Sequence, residues 1–383
     1  MTVLRVILDD MLTEPQGSLG RYAERLTREL IASAPRGCTV EAFVGASTEP
    51  EYERVAQGLP GLRALHKSAL ARRELTAAWQ HGFTRLPGSG MVHAPSLFAP
   101  LARHDRLNDG DQVVVTVHDT VAWSDPDALP ARTVAWHRSM MKRAERYADA
   151  IVAPSHAVAT QLDEIAHLGD RVRVISAASG MDMSLPPDEA ERAARLDLPE
   201  RYILATGEPG WSVDLSSGSA VRLNALMQAL PLLPESTTLL LVGVAPDDEQ
   251  LAASLADLGL RTGRARGLGA IADADWAVVM HHAAVFAYPN TATGFGMPLV
   301  EALASGTPVV HSDAAAFVEL SADAGTAVDC TSEGAPQRIA DALERVLTDS
   351  DLAERMGYLG IDRAGAFSWR GAAEKVWQLH ADL

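Results

Sequence analysis

The sequence predicts an α/β protein with two successive doubly wound domains. Short β-branched and apolar runs such as VVVTVHD (113–119) alternate with amphipathic patterns such as LGRYAERLTRELIASA (19–34). The first kind of run is typical of strands buried in a parallel sheet, and the second is typical of a helix that covers such a sheet. The alternation breaks over residues 177–200, which carry Gly180, three prolines and a cluster of charges, and it restarts with YILATG (202–207). We therefore expect two Rossmann-like domains that face an interdomain cleft, with ligands at the carboxyl ends of the strands.

The same patterns predict the individual elements. In the first half they predict helices at 19–34, at 133–148 and from His156 onward, and strands at 3–8, 40–45, 113–119, 150–155 and 172–176. In the second half they predict helices at 221–233, 251–259 and 299–306, and strands at 202–207, 238–243, 284–289 and 307–313. Gly306 suits the left-handed residue that commonly closes a helix. The predicted domains are residues 1–180 and 181–368, followed by a terminal helix at 369–383.

Composition and charge exclude several classes of protein. The 383 residues are 47% hydrophobic and 22% charged, which is a globular composition, and no apolar run is long enough to cross a bilayer. The start, MTVLRVILDD, predicts a strand and not a signal peptide, so we expect a cytoplasmic protein. The only two cysteines, Cys38 and Cys330, make a disulfide framework or a zinc site an unfavourable interpretation. Most of the net charge of -17 lies after residue 180, which argues against a general nucleic-acid binder.

One segment departs from this acidic character. Residues 54–106 carry eight lysines and arginines but only two acids, Glu74 and Asp105. Such a run is often a solvated helix face with its flanking loops. The alternative interpretation is a patch for anionic lipid or for a phosphorylated acceptor, and hence a transient contact with the inner face of the membrane.

Several segments carry a family resemblance. In the second half, AVFAYPNTATGFGMPLVEALASGTPVVHSD (284–313) and FSWRGAAEKVWQL (367–379) resemble retaining glycosyltransferases of family four, which have the GT-B fold. In the first half, GSLGRYAERLTREL (17–30) and RAERYADAIVAPSHAVATQL (143–162) resemble the same family. The resemblance implies an acceptor-side domain at 1–180, a donor nucleotide-sugar domain at 181–368, and a last helix that packs back on the first domain.

The donor site is predicted around one helix start. Gly294 and Gly296 permit a tight loop whose backbone N–H groups face a ligand, and Pro298 suits the first turn of the helix. The resemblance implies that Glu301 accepts hydrogen bonds from the ribose hydroxyls, and that Thr293 and Phe295 belong to the same site. A glutamate that simply faces solvent is the alternative for Glu301.

The resemblance also assigns residues at strand ends. It implies that His118, at the end of a buried strand, contacts the transferred sugar, although a structural histidine at the strand end is the alternative. Asp119 either orients His118 or caps the next segment. The loop with Gly17 and Gly20 is expected to approach the donor phosphates, and Gly207, which ends YILATG, belongs to the predicted donor site.

The sequence departs from the family at the predicted leaving-group site. Thr293 stands where the family has the first Glu of its E-x7-E motif, and Gly210 and Trp211 stand where it has Arg and Lys. In the family those two cations neutralise the departing pyrophosphate. Three arginines are candidate substitutes for these cations, namely Arg222, Arg264 and Arg266. Backbone N–H groups of the run Ser216 to Ser219 are a further candidate.

Two functions from different classes follow. The first is a hexosyltransferase that moves a sugar from a UDP-, GDP- or ADP-sugar to a carbohydrate or lipid-linked acceptor, with retained configuration and with neither metal nor cofactor. The second is a catalytically impaired pseudo-glycosyltransferase that binds or scaffolds an active protein partner. A GT-B enzyme that uses another activated sugar, such as a sugar phosphate, is a third interpretation.

Overall fold

The computed structural model describes residues 2–13, 17–86, 90–105, 110–206, 218–291 and 294–383, with the backbone alone for 218–222. The chain divides into two compact units. Unit 1 contains Met1–Ala177 and Ser368–Leu383, and unit 2 contains Ala178–Phe367. These bounds lie close to the predicted domains 1–180, 181–368 and 369–383.

Unit 1 contains one parallel sheet of seven strands in the order β3-β2-β1-β4-β5-β6-β7. The strands are β1 (Thr2–Ile7), β2 (Cys38–Ala46), β3 (Leu65–Ala71), β4 (Met91–Ala94), β5 (Gln112–Thr116), β6 (Ala150–Ala153) and β7 (Val172–Val174). Val113, Val114 and Val115 of β5 are all buried, as expected for a strand covered on both faces. The strand order changes direction between β1 and β4, and in such sheets ligands bind outside the carboxyl ends of the strands at that point.

The helices of unit 1 cover this sheet. They are α1 (Ser18–Ala32), α2 (Glu49–Gly58), α3 (Arg72–His81), the short α4 (Val121–Ser124), α5 (Ala131–Tyr147) and α6 (His156–Ile165), and Asp9–Leu12 forms a 3-10 turn. Trp79 of α3 and Met140 of α5 are buried in the same hydrophobic cluster as Val113 and Val115. The predicted strand 113–119 is too long, because β5 ends at Thr116.

The terminal helix of the chain belongs to unit 1. This helix, α15, spans Trp369–Asp382. Its buried residues include Val376 and Leu379, and the Nε1–H of Trp377 donates to the Leu30 carbonyl of α1 at 3.1 Å. The ring of Trp369 contacts Tyr22 edge-on. Apolar contacts and a tryptophan hydrogen bond therefore hold this helix against α1, as the resemblance implied.

Unit 2 contains a second parallel sheet, with six strands in the order β10-β9-β8-β11-β12-β13. The strands are β8 (Tyr202–Thr206), β9 (Thr238–Val242), β10 (Ala265–Gly269), β11 (Val285–Tyr288), β12 (Val309–Ser312) and β13 (Gly325–Val328). The helices are α7 (Glu189–Arg195), α8 (Gly218–Ala229), α9 (Glu249–Asp257), α10 (Asp273–His282), α11 (Met297–Ala304), α12 (Ala315–Ser321), α13 (Ala335–Thr348) and α14 (Ser350–Ala364). The strand order changes direction between β8 and β11, which places a predicted ligand edge after those two strands.

None of the helices in the described ranges has the length and apolar character needed to pass through a bilayer. Within the same ranges, no group of three or more His, Cys, Asp and Glu side chains is arranged to hold a metal ion.

Candidate functional site

In unit 2, α11 begins directly after Gly296, a position that requires glycine. Gly296 has φ +83°, in the left-handed region, and precedes the first residue of α11. A Cβ added there would lie 2.8 Å from a ring carbon of Phe317. Both the backbone conformation and the close ring therefore require glycine. Pro298 lies in the first turn of α11, as predicted.

Glu301 is the fifth residue of α11 and therefore lies in its second turn. Its side chain is buried, with 2% exposure. Oε1 accepts a hydrogen bond from the backbone N–H of Gly180 at 3.0 Å, and Oε2 accepts one from Nε1–H of Trp276 at 2.9 Å. The alternative of a glutamate that faces solvent is therefore wrong, and the carboxylate is held by two donors of its own unit.

The surroundings of α11 are apolar. Phe295 is buried and its ring meets that of Phe367 edge-on, with centroids 5.7 Å apart. Trp276 lies against Phe286 of β11 in the same manner. The hydrogen bond between Trp276 and Glu301 is buried, and burial strengthens such a bond.

Part of the predicted donor site falls outside the described residues. Thr293, Gly207, Gly210 and Trp211 lie in the ranges 207–217 and 292–293, as do Ser216 and Ser217. The side chain of Arg222 is also outside the described part. Gly294 is described and lies directly before Phe295. The predictions for the undescribed residues stay predictions.

The placement of Arg264 and Arg266 does not support their role as substitute cations. Arg264 precedes the first residue of β10 and donates from Nη2 to the Leu230 carbonyl at 2.6 Å. Arg266, the second residue of β10, donates to the carbonyls of Leu196 and Asp197. Both lie toward the amino end of an edge strand, whereas the ligand edge of a parallel sheet is at its carboxyl ends. In this structure both guanidinium groups bind backbone carbonyls away from that edge.

In unit 1, His118 and Asp119 lie just beyond the carboxyl end of β5. Nε2–H of His118 donates to the Pro95 carbonyl at 2.7 Å, and the imidazole meets the ring of Tyr22 edge-on at 4.5 Å. Burial lowers the pKa of His118, so the neutral ring predominates at physiological pH. With Nε2 protonated, Nδ1 is the hydrogen-bond acceptor of the neutral ring. Asp119 accepts from the Val121 N–H at 3.0 Å, so it caps the segment that becomes α4.

Three residues that the sequence analysis did not select join His118 at this edge. Asp10 is buried, with 5% exposure, and its Oδ1 accepts from Nη2 of Arg72 at 2.6 Å while its Oδ2 accepts from Ser96 at 2.8 Å. The Arg72 guanidinium also lies over the ring of Phe98. These side chains line a cleft of about 300 Å³ that also includes Leu19, Thr76, Leu97, Thr116, Val117, His118, Asp119, Thr133, Trp136 and His137. Of these three residues, only Asp10 stands out in the sequence, because Asp9 and Asp10 form a pair of acids at the end of the first strand.

Two glycines at this edge differ in role. Gly17 precedes α1 in an extended conformation, and a Cβ added there would meet nothing within 4 Å. The space around it is compatible with the predicted approach to a ligand. Gly20, placed in the loop by the sequence analysis, is instead the third residue of α1.

Asp9 is a buried carboxyl group that is expected to weaken unit 1 at neutral pH. Its Oδ1 accepts from the Gly45 N–H at 3.0 Å, and its Oδ2 has no hydrogen-bond partner among the described residues. Burial raises the pKa of Asp9 to about 6 from a usual 3.8. The folded protein therefore binds this proton more tightly than the unfolded chain, and stability falls as pH rises through 6.

We expect Asp9→Asn to raise the free energy of unfolding at pH 7 to 8 by up to about 3 kcal/mol, since the amide oxygen keeps the Gly45 contact without the charge. This gain should vanish toward pH 4, where wild-type Asp9 is itself protonated. Urea unfolding of both proteins across this pH range measures the difference. Asp10→Asn, which breaks the pair with Arg72, is the matched control and should destabilise. A gain from Asp9→Asn that does not change with pH would contradict the assignment.

Two family models match the chain, one in each half. Residues 19–178 match Glycosyltransferase Family 4, and residues 218–363 match Glycosyl transferases group 1. The first range lies in unit 1 except for its last residue, and the second range lies in unit 2. The glycine-led start of α11 and Glu301 lie within the second match.

Similar proteins agree with these matches. The O-antigen chain mannosyltransferase B of Escherichia coli is 27% identical over 379 residues, which cover 94% of this chain and 95% of that enzyme. The phosphatidyl-myo-inositol mannosyltransferase of Mycobacterium leprae is 34% identical over 162 residues, which cover 41% of this chain and 42% of that enzyme.

A solved structure shows the same fold at low identity. The Anabaena protein HepE in complex with UDP-glucose superposes with a TM-score of 0.71 at 17% identity, covering all of both chains. Taken with the two parallel sheets, the matches show that this chain has the GT-B fold and resembles the glycosyltransferases of family four.

Proposed function

We propose that this protein is a retaining hexosyltransferase that moves a hexose from a nucleotide sugar to a carbohydrate or lipid-linked acceptor, without a metal ion. The observation that carries the proposal is the start of α11, where Gly296 leads into a helix whose second turn holds the buried Glu301. A helix N-terminus with a glycine-rich approach is suited to phosphate groups, and a carboxylate is suited to paired ribose hydroxyls. The site belongs to the carboxyl edge of β11, next to the point where the strand order of unit 2 changes.

The relatives support the class of reaction. Two of them are named as mannosyltransferases, and HepE was solved with UDP-glucose. We propose a hexose donor on this basis, and the nucleotide of this donor is UDP, GDP or ADP.

The cleft of unit 1 supplies groups for a sugar acceptor. The carboxylates of Asp10 and Asp119 accept hydrogen bonds, Ser96 and Thr76 carry hydroxyls, and the ring of Phe98 gives an apolar wall. Arg72 is paired with Asp10, so the cleft has little excess positive charge for a phosphorylated group. A neutral, hydroxyl-rich acceptor end fits this balance better than a phosphate does. In this proposal the neutral imidazole of His118, fixed by Pro95, contacts the transferred sugar.

The experiment is a thermal-shift panel of UDP-, GDP- and ADP-glucose and -mannose, followed by transfer assays. A donor at a hundred times its Kd should add about 2.7 kcal/mol of stability. NMR of the product should show the donor's anomeric configuration retained, and chelation with EDTA should leave the rate unchanged. An inverted product, or a rate abolished by EDTA, would contradict the retaining, metal-independent mechanism.

One sequence observation favours a second candidate. Gly210 and Trp211 replace the two cations of the family, and Thr293 replaces its first glutamate. A protein without these charges would serve as a pseudo-glycosyltransferase that binds or scaffolds an active partner. Donor-induced stabilisation without turnover would favour this candidate, and turnover with any donor would exclude it.

A further inference from the structure

Two histidines of unit 1 face each other between the sheet and the terminal helix. His93 of β4 is fully buried, and His380, in the last turn of α15, is 3% exposed. Their ring centroids are 5.8 Å apart in an edge-on arrangement. Nδ1–H of His380 donates to Oε1 of Gln112, the first residue of β5, at 3.0 Å. The pair therefore lies where the end of α15 packs on β4 and β5.

The other ring nitrogens of this histidine pair have no hydrogen-bond partner among the described residues. They are Nδ1 and Nε2 of His93 and Nε2 of His380. A neutral imidazole has one N–H and one acceptor nitrogen, whereas an imidazolium has two N–H groups. Protonation of either ring would therefore bury a charge together with a donor that lacks an acceptor, which is costly unless the ring reaches water.

Burial keeps both rings neutral in the folded protein. Burial, with the like charge that His380 would carry, lowers the pKa of His93 from 6.5 to about 3. Burial also lowers the pKa of His380 from 6.5 to about 4, although the carboxylate of Asp149 attracts a proton to it. Asp149 also accepts from Nε2–H of His104 at 2.7 Å, and this hydrogen bond raises the pKa of His104, so acid stabilises that contact instead. At pH 5 the two buried rings still lack the protons that they would hold in water.

Three further titratable groups belong to the elements around the histidine pair. In β1, Arg5 is the register neighbour of Val92 in β4, so the alternation of side chains places it on the opposite face of the sheet from the pair. Asp111, just before β5, accepts from the Gly90 N–H at 2.6 Å. Burial raises the pKa of Tyr22 in α1 to about 12, so its hydroxyl stays neutral, and the other buried residues of α1 carry no charge. Among the groups described around the end of α15, acid therefore acts against the folded state through the histidine pair.

We propose that α15 is an acid-sensitive latch, which stays packed on the sheet while His93 and His380 are neutral and is released when both rings take up a proton. In the released state the rings contact water and regain their ordinary pKa of 6.5. Since the packed state binds these protons less tightly than the released state, the latch is complete above pH 6.5 and weakens as the pH falls from there to about 4. The latch lies within unit 1 and does not rest on the proposed transfer reaction.

Release of α15 would also change the surroundings of the His118 cleft. Trp369 is the first residue of α15, and its ring centroid lies 5.4 Å from that of Tyr22. The ring of Tyr22 in turn meets His118 edge-on at 4.5 Å. The two ends of α15 therefore connect the histidine pair with the wall of the cleft.

The test is hydrogen–deuterium exchange of the full chain between pH 7.5 and 5, read by mass spectrometry and corrected for the intrinsic pH dependence of exchange. We expect the protection of the amides in α15 to fall about 100-fold or more from pH 7 to pH 5, because both rings take up a proton on release. The amides of β2 report unfolding of the whole unit and should keep more of their protection. His93→Leu and His380→Asn each remove one titrating ring, and the asparagine can keep a donor toward Gln112. Each variant should reduce the fall to about 20-fold, and the double variant should abolish it.

The pH dependence, and not the level of protection at pH 7, is the quantity that decides. A replacement that only loosens the packing of α15 lowers protection at every pH and leaves its pH dependence unchanged. His167→Asn removes a fully exposed histidine of the same unit and should show the wild-type fall. The proposal is overturned if the protection of α15 falls no more than that of β2, or if the double variant keeps the wild-type pH dependence.

Discussion

Glu301→Gln is expected to weaken nucleotide-sugar binding about 100-fold, because two charge-assisted hydrogen bonds to the ribose hydroxyls are replaced by neutral ones. The amide has nearly the shape of the carboxylate, so the packing of α11 should persist. It carries only one acceptor oxygen, however, and either Gly180 N–H or Trp276 Nε1–H loses its partner. The variant should therefore also lose about 1–3 kcal/mol of stability. Calorimetry with the best donor of the panel measures the first effect, and urea unfolding measures the second.

Two further variants separate binding from structure. Trp276→Phe removes the indole donor to Oε2 and leaves a smaller ring at this buried position. We expect a smaller loss of donor affinity, about tenfold, through poorer orientation of the carboxylate. Glu354→Gln makes the same replacement at an exposed glutamate of unit 2, bonded to Tyr358, and should change neither quantity. If Glu301→Gln loses stability but binds the donor as the wild type does, Glu301 is a structural residue that holds Gly180 and Trp276, and its place in the donor site is lost.

The sequence predicted the features that depend on local chemistry. Strands with continuous apolar runs, such as β5 and β9, were located because burial on both faces leaves a clear pattern. The start of α11 was located because Gly296 and Pro298, which are two residues apart, are typical of a helix start. The sequence allows two local roles for Asp119, and the hydrogen bond that it accepts from the Val121 N–H supports the cap.

Features that depend on distant residues were missed. Asp10, Arg72 and Ser96 meet only because β1, β3 and β4 end at the same edge of a sheet, and no sequence spacing records this. β3 and β4 were themselves not predicted, since LHKSALA has little apolar character and MVHA has only four residues. Trp276 was not connected with Glu301 for the same reason, since 25 residues separate them. Arg264 and Arg266 are cations within the predicted donor domain, but the sequence does not give the direction of β10, which places both toward its amino end.

Gly210→Arg/Trp211→Lys is expected to raise the rate of transfer by about 100- to 1000-fold if the wild-type protein is a slow transferase. The two replacements restore the cations with which the family neutralises the leaving pyrophosphate. Removing one such donor in other enzymes costs about 3–4 kcal/mol of transition-state stabilisation, and the effects of neighbouring groups are seldom additive. The acidic character of the chain after residue 180 increases the need for these cations, because an acidic surrounding disfavours a dianionic ligand. Single-turnover assays of donor hydrolysis and of transfer measure the gain.

Each of the other outcomes has a definite meaning. Donor binding that appears only in the double replacement would favour the pseudo-glycosyltransferase over the enzyme. Fast wild-type turnover that is lost in Arg222→Ala would show that this arginine, whose side chain lies outside the described residues, has taken over the charge. The matched control is Arg266→Ala, since Arg266 binds the carbonyls of Leu196 and Asp197 at the far end of β10 and should leave turnover unchanged. Fast wild-type turnover that is insensitive to both arginines, and that the double replacement does not improve, would refute the expectation of a weak leaving-group site.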